Sequence, residues 1–191
     1  MKNDVPLLVL TIGHSTHPLA EFIALLKAHE VDCLVDVRTI PRSRTNPQFN
    51  RETLPAALAE AGIEHVAMPG LGGLRRAQAT SSNTGWRNKS FRAFADYMQT
   101  EEFAKEIDNL VKLAATRRAA IMCAEAVPWR CHRSLIADAL MVRGVRVEDI
   151  MSLTRRTLHR LTPWAVVEGE RITYPASSVG GAETLFASAP G

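Results

Sequence analysis

Long apolar runs are missing from this 191-residue sequence; none approaches the ~20 residues that a helix needs to cross a bilayer. Cysteines are few, three in all, and no C-x-x-C or H-x-x-x-H accompanies them, so neither a disulfide scaffold nor structural zinc is supported. Aromatic residues make up only 6%, and few fall in the basic loops, which weakens base stacking as a mode of recognition. No G-x-G-x-x-G follows the first apolar run, so a dinucleotide cofactor is not supported. Charge of one sign is not in large excess: 23 Lys and Arg against 20 Asp and Glu give +3, too mild by itself to imply a nucleic-acid partner. No internal repeat is visible.

What is present describes an ordinary globular chain, 46% hydrophobic and 23% charged, long enough to bury one continuous core. The opening "MKNDVPLLVLTIGHS" has one lysine, then an aspartate, then a short apolar stretch ending in a polar turn. It reads as a buried first strand rather than a signal peptide, and the three thiols are expected free in a reducing cytoplasm.

Apolar runs and helical periodicities alternate along the chain. "LLVLTIG" (7–13), "VDCLVDVR" (31–38), "IEHVAM" (63–68), "AAIMC" (119–123) and "VRVEDI" (145–150) read as strands. Between them, Phe22, Leu25 and Leu26 share one helical face, with Thr16 expected as N-cap; Leu54, Leu58 and Ala61 share another, stopped by Gly62. A helical pattern runs from Ser90 to about Arg117 with a cap at Thr100, and "RSLIADALMVRG" is a last helix. The alternation predicts an α/β fold: a mostly parallel sheet of about five strands with helices on both faces. Residues 1–153 are read as one domain and 154–175 as a C-terminal extension with a small hairpin around Gly169. Residues 176–191 are read as a flexible tail.

In open parallel sheets, ligands sit at the carboxyl ends of the strands. The loops leaving those ends are "GHSTHP", "TIPRSRTNPQFN", "PGLGGLRR" and "AEAVPWRCHR". All four are expected to open onto one rim, so their polar residues form one constellation. Asp36 and Arg38 fall on the same face of their strand by its twofold alternation; a structural ion pair is the leading reading and a catalytic acid the second. Cys131 and His132 sit at the start of the last helix, where free N–H groups and the helix dipole favour an anion or a thiolate. Cys123 ends a buried strand and reads first as a small core residue. Glu125, two residues on, is expected partly desolvated and suited to general acid or base work, against a surface ion pair with Arg130 or Arg133. His14 is not explained by capping, whereas Ser15 is. His17, His29, His65 and His159 read as surface or packing residues, and Arg44, Arg75 and Arg76 as solvated charges. A phosphatase loop fails on spacing, because six residues rather than five separate Cys123 from Arg130, and the loop lacks glycine. That lack also argues against rhodanese-type sulfur transfer, although "LVDVR" looks like that family's Asp-x-Arg strand.

Taken together, "TIGHST", "FIALLKAHEVDCLVDVRTIPRSRTNPQFN", "LGGLR", "FRAFADYMQTEEF" and "MCAEAVPWRCHRSLIADAL" resemble domain-of-unknown-function family 488, over roughly residues 8 to 150. The matching positions are His14, Ser15, Asp36, Arg38, Pro41, Ser43, Phe49, Gly72, Gly73, Cys123, Glu125, Cys131, His132 and Arg133. The resemblance implies an α/β domain and an enzyme, and names no substrate. One departure is visible: the family often carries a histidine in the last strand where this chain has Asp149.

The sequence thus points to a cytoplasmic enzyme, without a membrane partner, acting on an anionic ligand: a phosphate-bearing small molecule, a nucleotide or a nucleic acid. Arg38, Arg42 and Arg133 are expected to hold the anion, with His14, Ser15, Ser43, Gly72 and Gly73 lining the pocket. Glu125 is expected to move the proton, with His132 or His14 assisting and Asp36 as the second-choice catalytic acid, and Cys131 precedes Cys123 as a nucleophile for its expected exposure. The alternatives are a nucleic-acid-binding module without chemistry, a rhodanese-like sulfur carrier and an interaction domain.

Overall fold

A computed structural model describes residues 6–76 and 78–176. Its centre is a six-stranded sheet in the order β3-β2-β4-β1-β5-β6, built from β1 (Leu8–Gly13), β2 (Cys33–Asp36), β3 (Glu64–Ala67), β4 (Ala119–Cys123), β5 (Arg146–Ile150) and β6 (Arg156–Leu158). The first five are parallel, and β6 is antiparallel to β5. The expected α/β architecture is therefore present. β6 lay outside the sequence reading: three exposed residues, Arg-Thr-Leu, carry no apolar pattern. A second sheet is the hairpin of β7 (Val166–Glu168) and β8 (Arg171–Thr173) around Gly169, at the expected place. Residues 177–191 of the expected tail lie outside the described residues.

Alternate residues of the central strands feed two cores, as a sheet covered on both faces requires. Leu10, Ile12, Leu34, Ala120 and Met122 pack with Phe22, Leu25, Leu26, Leu54 and Leu58 of α1 (Leu19–Ala28) and α2 (Leu54–Glu60). Val9, Cys33, Val35, Ala119, Ile121 and Cys123 pack instead with α3 (Lys89–Tyr97), α4 (Glu101–Ala114) and α5 (Arg133–Val142). The observed caps differ in part from expectation. Thr100 does cap α4, accepting from the Phe103 amide. α1, however, starts after Pro18 with no side-chain cap, because residues 14–17 form a turn closed by the His17 amide on the His14 carbonyl. Within that turn Ser15 is left-handed, with φ +45°.

Two long segments are tied down by buried polar groups. Asp96 accepts from Ser81 and Asn83, and the Asn83 side-chain Oδ1 takes the Tyr174 amide. Asp138, fully buried on α5, accepts from Tyr174 Oη at 2.9 Å, His159 Nε2 at 2.9 Å and the Thr162 amide at 3.1 Å. The chain beyond β5 is thereby hydrogen-bonded to the helix that follows β4.

Candidate functional site

β1 and β4 are neighbours, and the chain leaves them in opposite directions across the sheet. That reversal opens a crevice at their carboxyl ends, and the four loops meet there. The His14 and Ser15 amides donate to the Cys123 and Ala124 carbonyls. The His132 ring contacts the Val37 carbonyl, and the Leu74 amide donates to Thr39 Oγ1. Two glycines make the meeting possible by close approach. A Cβ on Gly13 would sit 1.8 Å from the Glu125 carbonyl oxygen, and one on Gly73 would sit 2.7 Å from His132 Nδ1.

On the α3–α5 side of the sheet lies a thiol pair. Arg133, 1% exposed, donates through Nε to Cys123 Sγ at 3.0 Å, through Nη1 to Thr11 Oγ1 at 3.1 Å and through Nη2 to the Glu125 carbonyl at 2.7 Å. Among the described residues no carboxylate lies within ion-pair distance of this guanidinium; Thr11 Oγ1 in turn donates to Asp149 Oδ1 at 2.6 Å. Cys131 Sγ has His132 Nδ1 at 3.5 Å and receives the Arg133 backbone N–H, the first of α5, at 3.5 Å. The two thiols influence each other most strongly: Cys123 pulls Cys131 down, and Cys131 holds Cys123 up. Burial opposes ionisation of Cys131, while His132 and Arg133 favour it. One proton thus leaves the pair well below the ordinary thiol range and the second is retained far above it.

On the α1–α2 side lies an ion pair. Asp36 receives a two-pronged donation from Arg38, Nε at 2.8 Å and Nη2 at 2.6 Å, and His65 stands 3.7 Å away. Burial pushes the Asp36 carboxyl up, but the Arg38 hydrogen bonds and the nearby His65 ring outweigh it and the net direction is down. Arg38 Nη2 also donates to the Phe49 carbonyl, and Nη1 lies 3.2 Å from His14 Nε2. A guanidinium can only donate, so His14 Nε2 accepts and Nδ1 carries the proton to the Ser15 carbonyl, 2.9 Å away. Burial, with Arg38 adding, lowers the His14 pKa to about 4 against the Ser15 hydrogen bond; the ring is stacked on Phe49 at 4.2 Å. Asp36, Arg38 and His14 form a closed neutralised unit, the structural pair of the first reading.

A cavity of about 400 Å³ covers the thiols, lined by Cys123, Cys131, His132, Arg130, Phe91 and Ile40 among others. Arg38 and Glu125 are shared with a second cavity of about 430 Å³, where His14, Ser15, Arg42 and Ser43 stand. Gly72 and Gly73 form the wall against Thr39 and His132.

Several expectations change. Cys131 is not the exposed thiol; both sulfurs belong to residues 3% exposed, because the 3-10 turn Pro128–Arg130 folds over them. Glu125 is exposed rather than desolvated: its carbonyl turns inward to Arg133, which sends the carboxylate to solvent. Arg133 is internal, so the cations free at the rim are Arg42 and Arg130, both exposed. Arg75 is not simply solvated; it lies 3.5 Å over the Tyr97 ring and donates to the Gly70 and Gly72 carbonyls. His65 joins the Asp36 unit. Thr11 was missed, although a hydroxyl inside "LVLTIG" was the available signal. Among the described residues no group of three or more His, Cys, Asp or Glu is placed to hold a metal ion, and no helix is long and apolar enough to cross a membrane.

The family model described as Domain of unknown function DUF488 matches residues 18–140, and the chain belongs to that family. The matched span holds Asp36, Arg38 and the whole segment from Cys123 to Arg133; Thr11, His14 and Asp149 fall outside it. No curated protein matches the chain, and no solved structure does.

Proposed function

We propose that this member of the DUF488 family is a thiolate-dependent enzyme that transfers an acyl or phosphoryl group from an anionic substrate to Cys131. The observation that carries the reading is the buried guanidinium of Arg133, which faces a thiol pair with no carboxylate beside it. A buried cation needs a negative charge near it; the Arg133 guanidinium touches Cys123, its backbone N–H touches Cys131, and the charge of the pair resides on Cys131. The sulfurs line a cavity large enough for a small substrate.

The step balances with the residues present. His132 Nδ1 takes the Cys131 proton across 3.5 Å; the sulfur forms a bond to the electrophilic carbon or phosphorus. The leaving group departs with its electron pair and receives that proton back from His132. Arg130 and Arg42 meet the substrate's negative charge at the rim. Cys123 and Arg133 keep the remaining proton and charge in place. Glu125, exposed at the mouth, has no part in this step.

Paired alkylation tests the reading. Iodoacetate is an anionic electrophile and iodoacetamide its neutral counterpart. At pH 6 the native protein should be modified at Cys131, read by peptide mass, and faster by iodoacetate than by iodoacetamide. Arg130→Glu should reverse that order. Thiols with ordinary titration, or no preference for the anion, would remove the proposal.

A further inference from the structure

Thr11 lies in the middle of β1, 1% exposed, in register with Ile121 of β4 on one side and Asp149 of β5 on the other. Its single hydroxyl proton goes to Asp149 Oδ1 at 2.6 Å, and its lone pair takes Arg133 Nη1 at 3.1 Å. The direction is fixed, because a guanidinium cannot accept and an ionised carboxylate cannot donate. Arg133 therefore stands between two acidic groups: the Cys123 sulfur in contact through Nε, and the Asp149 carboxylate one hydroxyl away. Asp149 is 7% exposed and lines a separate cavity of about 420 Å³ beside Trp129, with Thr157, His159 and Arg160. His159 is engaged by Asp138; Thr11 donates directly to Asp149, and Arg133 reaches it only through that hydroxyl.

We propose that Thr11 and Asp149 are positioning residues for the thiol pair and act on it through Arg133 in opposite senses. Thr11 fixes the guanidinium so that Nε points at Cys123. Asp149 draws part of the guanidinium's charge away from the sulfurs. The inference rests on the thiolate reading above. The other titratable or charged groups lining the cavity over the sulfurs, Arg38, His132, Arg130 and Glu125, are left in place by changes at Thr11 or Asp149. His14 belongs to the Asp36 unit across the sheet.

The experiment is the pH profile of iodoacetamide alkylation at Cys131 in the full chain, with thermal denaturation alongside. Thr11→Val keeps the shape and removes the hydroxyl; the midpoint of the profile should move up by about one pKa unit, a tenfold loss of thiolate at pH values below the midpoint. Thr11→Ser should restore it. Asp149→Asn keeps an acceptor for Thr11 and removes the charge, so the midpoint should move down by about half a unit, a threefold gain of thiolate at pH values below the midpoint. Shifts in opposite directions support the inference, since general loosening of the site would move both variants toward an ordinary thiol. Shifts in the same direction, or a lowered melting temperature with an unmoved profile, would overturn it. If Thr11→Val does not fold, Asp149→Asn decides alone: a gain of thiolate supports the inference, and a loss or no change overturns it. An ordinary profile in the unmodified protein would instead bring down the thiolate reading itself, and this inference with it.

Discussion

Arg133 Nε donates to Cys123 Sγ across 3.0 Å in a place where the guanidinium is 1% exposed. An arginine so placed keeps its proton, so the acid–base freedom of the pair lies with the thiols and with His132. The lower thiol also receives the first amide of α5, where the helix dipole favours negative charge.

The ionisation of the pair should be visible directly. In the native protein, thiolate absorbance should titrate with one step well below the ~8.5 of a free cysteine. Cys123→Ala should raise that step, because the Cys123 thiol is the largest influence lowering Cys131. An unchanged step in Cys123→Ala would separate the two sulfurs.

Arg133→Met removes the cation and leaves Thr11, the Glu125 carbonyl and Cys123 without their donor. Each buried group so orphaned is costly, and the summed loss should be about 2–4 kcal/mol, read by urea denaturation. The acidic thiol step should vanish in the same variant. Arg133→Lys should recover little, since one ammonium cannot reach three acceptors arranged for a fork.

Gly13→Ala tests the contact between the β1 and β4 ends. Its Cβ would fall 1.8 Å from the Glu125 carbonyl oxygen, a backbone atom that cannot swing aside. The loss should reach about 3 kcal/mol or more. Gly73→Ala meets a side chain instead, His132 Nδ1 at 2.7 Å; stability should change less, while the Cys131 alkylation rate should drop as the ring is displaced.

Acid should weaken the fold through His14. The unfolded imidazole takes its proton near 6.5 and the folded one only near about 4. Between those values the unfolded state binds more protons, so stability falls as pH drops through that window, by at most ~3 kcal/mol. His14→Gln should flatten this part of the stability profile. Asp36, held below its ordinary value of 3.8, contributes a further loss only at lower pH.

β1, β2 and β4 were legible as apolar runs buried on both faces, and the helices by one apolar face each; β3 and β5, with Glu64 and His65 or Arg146, Glu148 and Asp149 among them, were placed by their position between helices. β6 was not, because an edge strand with exposed Arg156, Thr157 and Leu158 has no burial to announce it. Asp36 and Arg38 followed from the twofold alternation alone. Exposure within the loop after β4 could not be read, since it depends on how Pro128–Arg130 folds over Cys131 and which way the Glu125 peptide turns. Thr11 is one polar residue in an apolar run and Asp149 one of three charged residues in its strand, and their partnership exists only across the β1–β5 ladder.

The Asp138 carboxylate has a consequence for where this protein tolerates cutting. All three of its donors come from positions 159, 162 and 174, beyond the stretch that the family model matches. Trimming the chain back to that stretch would strand a naked anion inside the helix whose first turn carries Arg133. The C-terminal arm works as a guy-rope: slack at Tyr174 would be felt at the sulfurs.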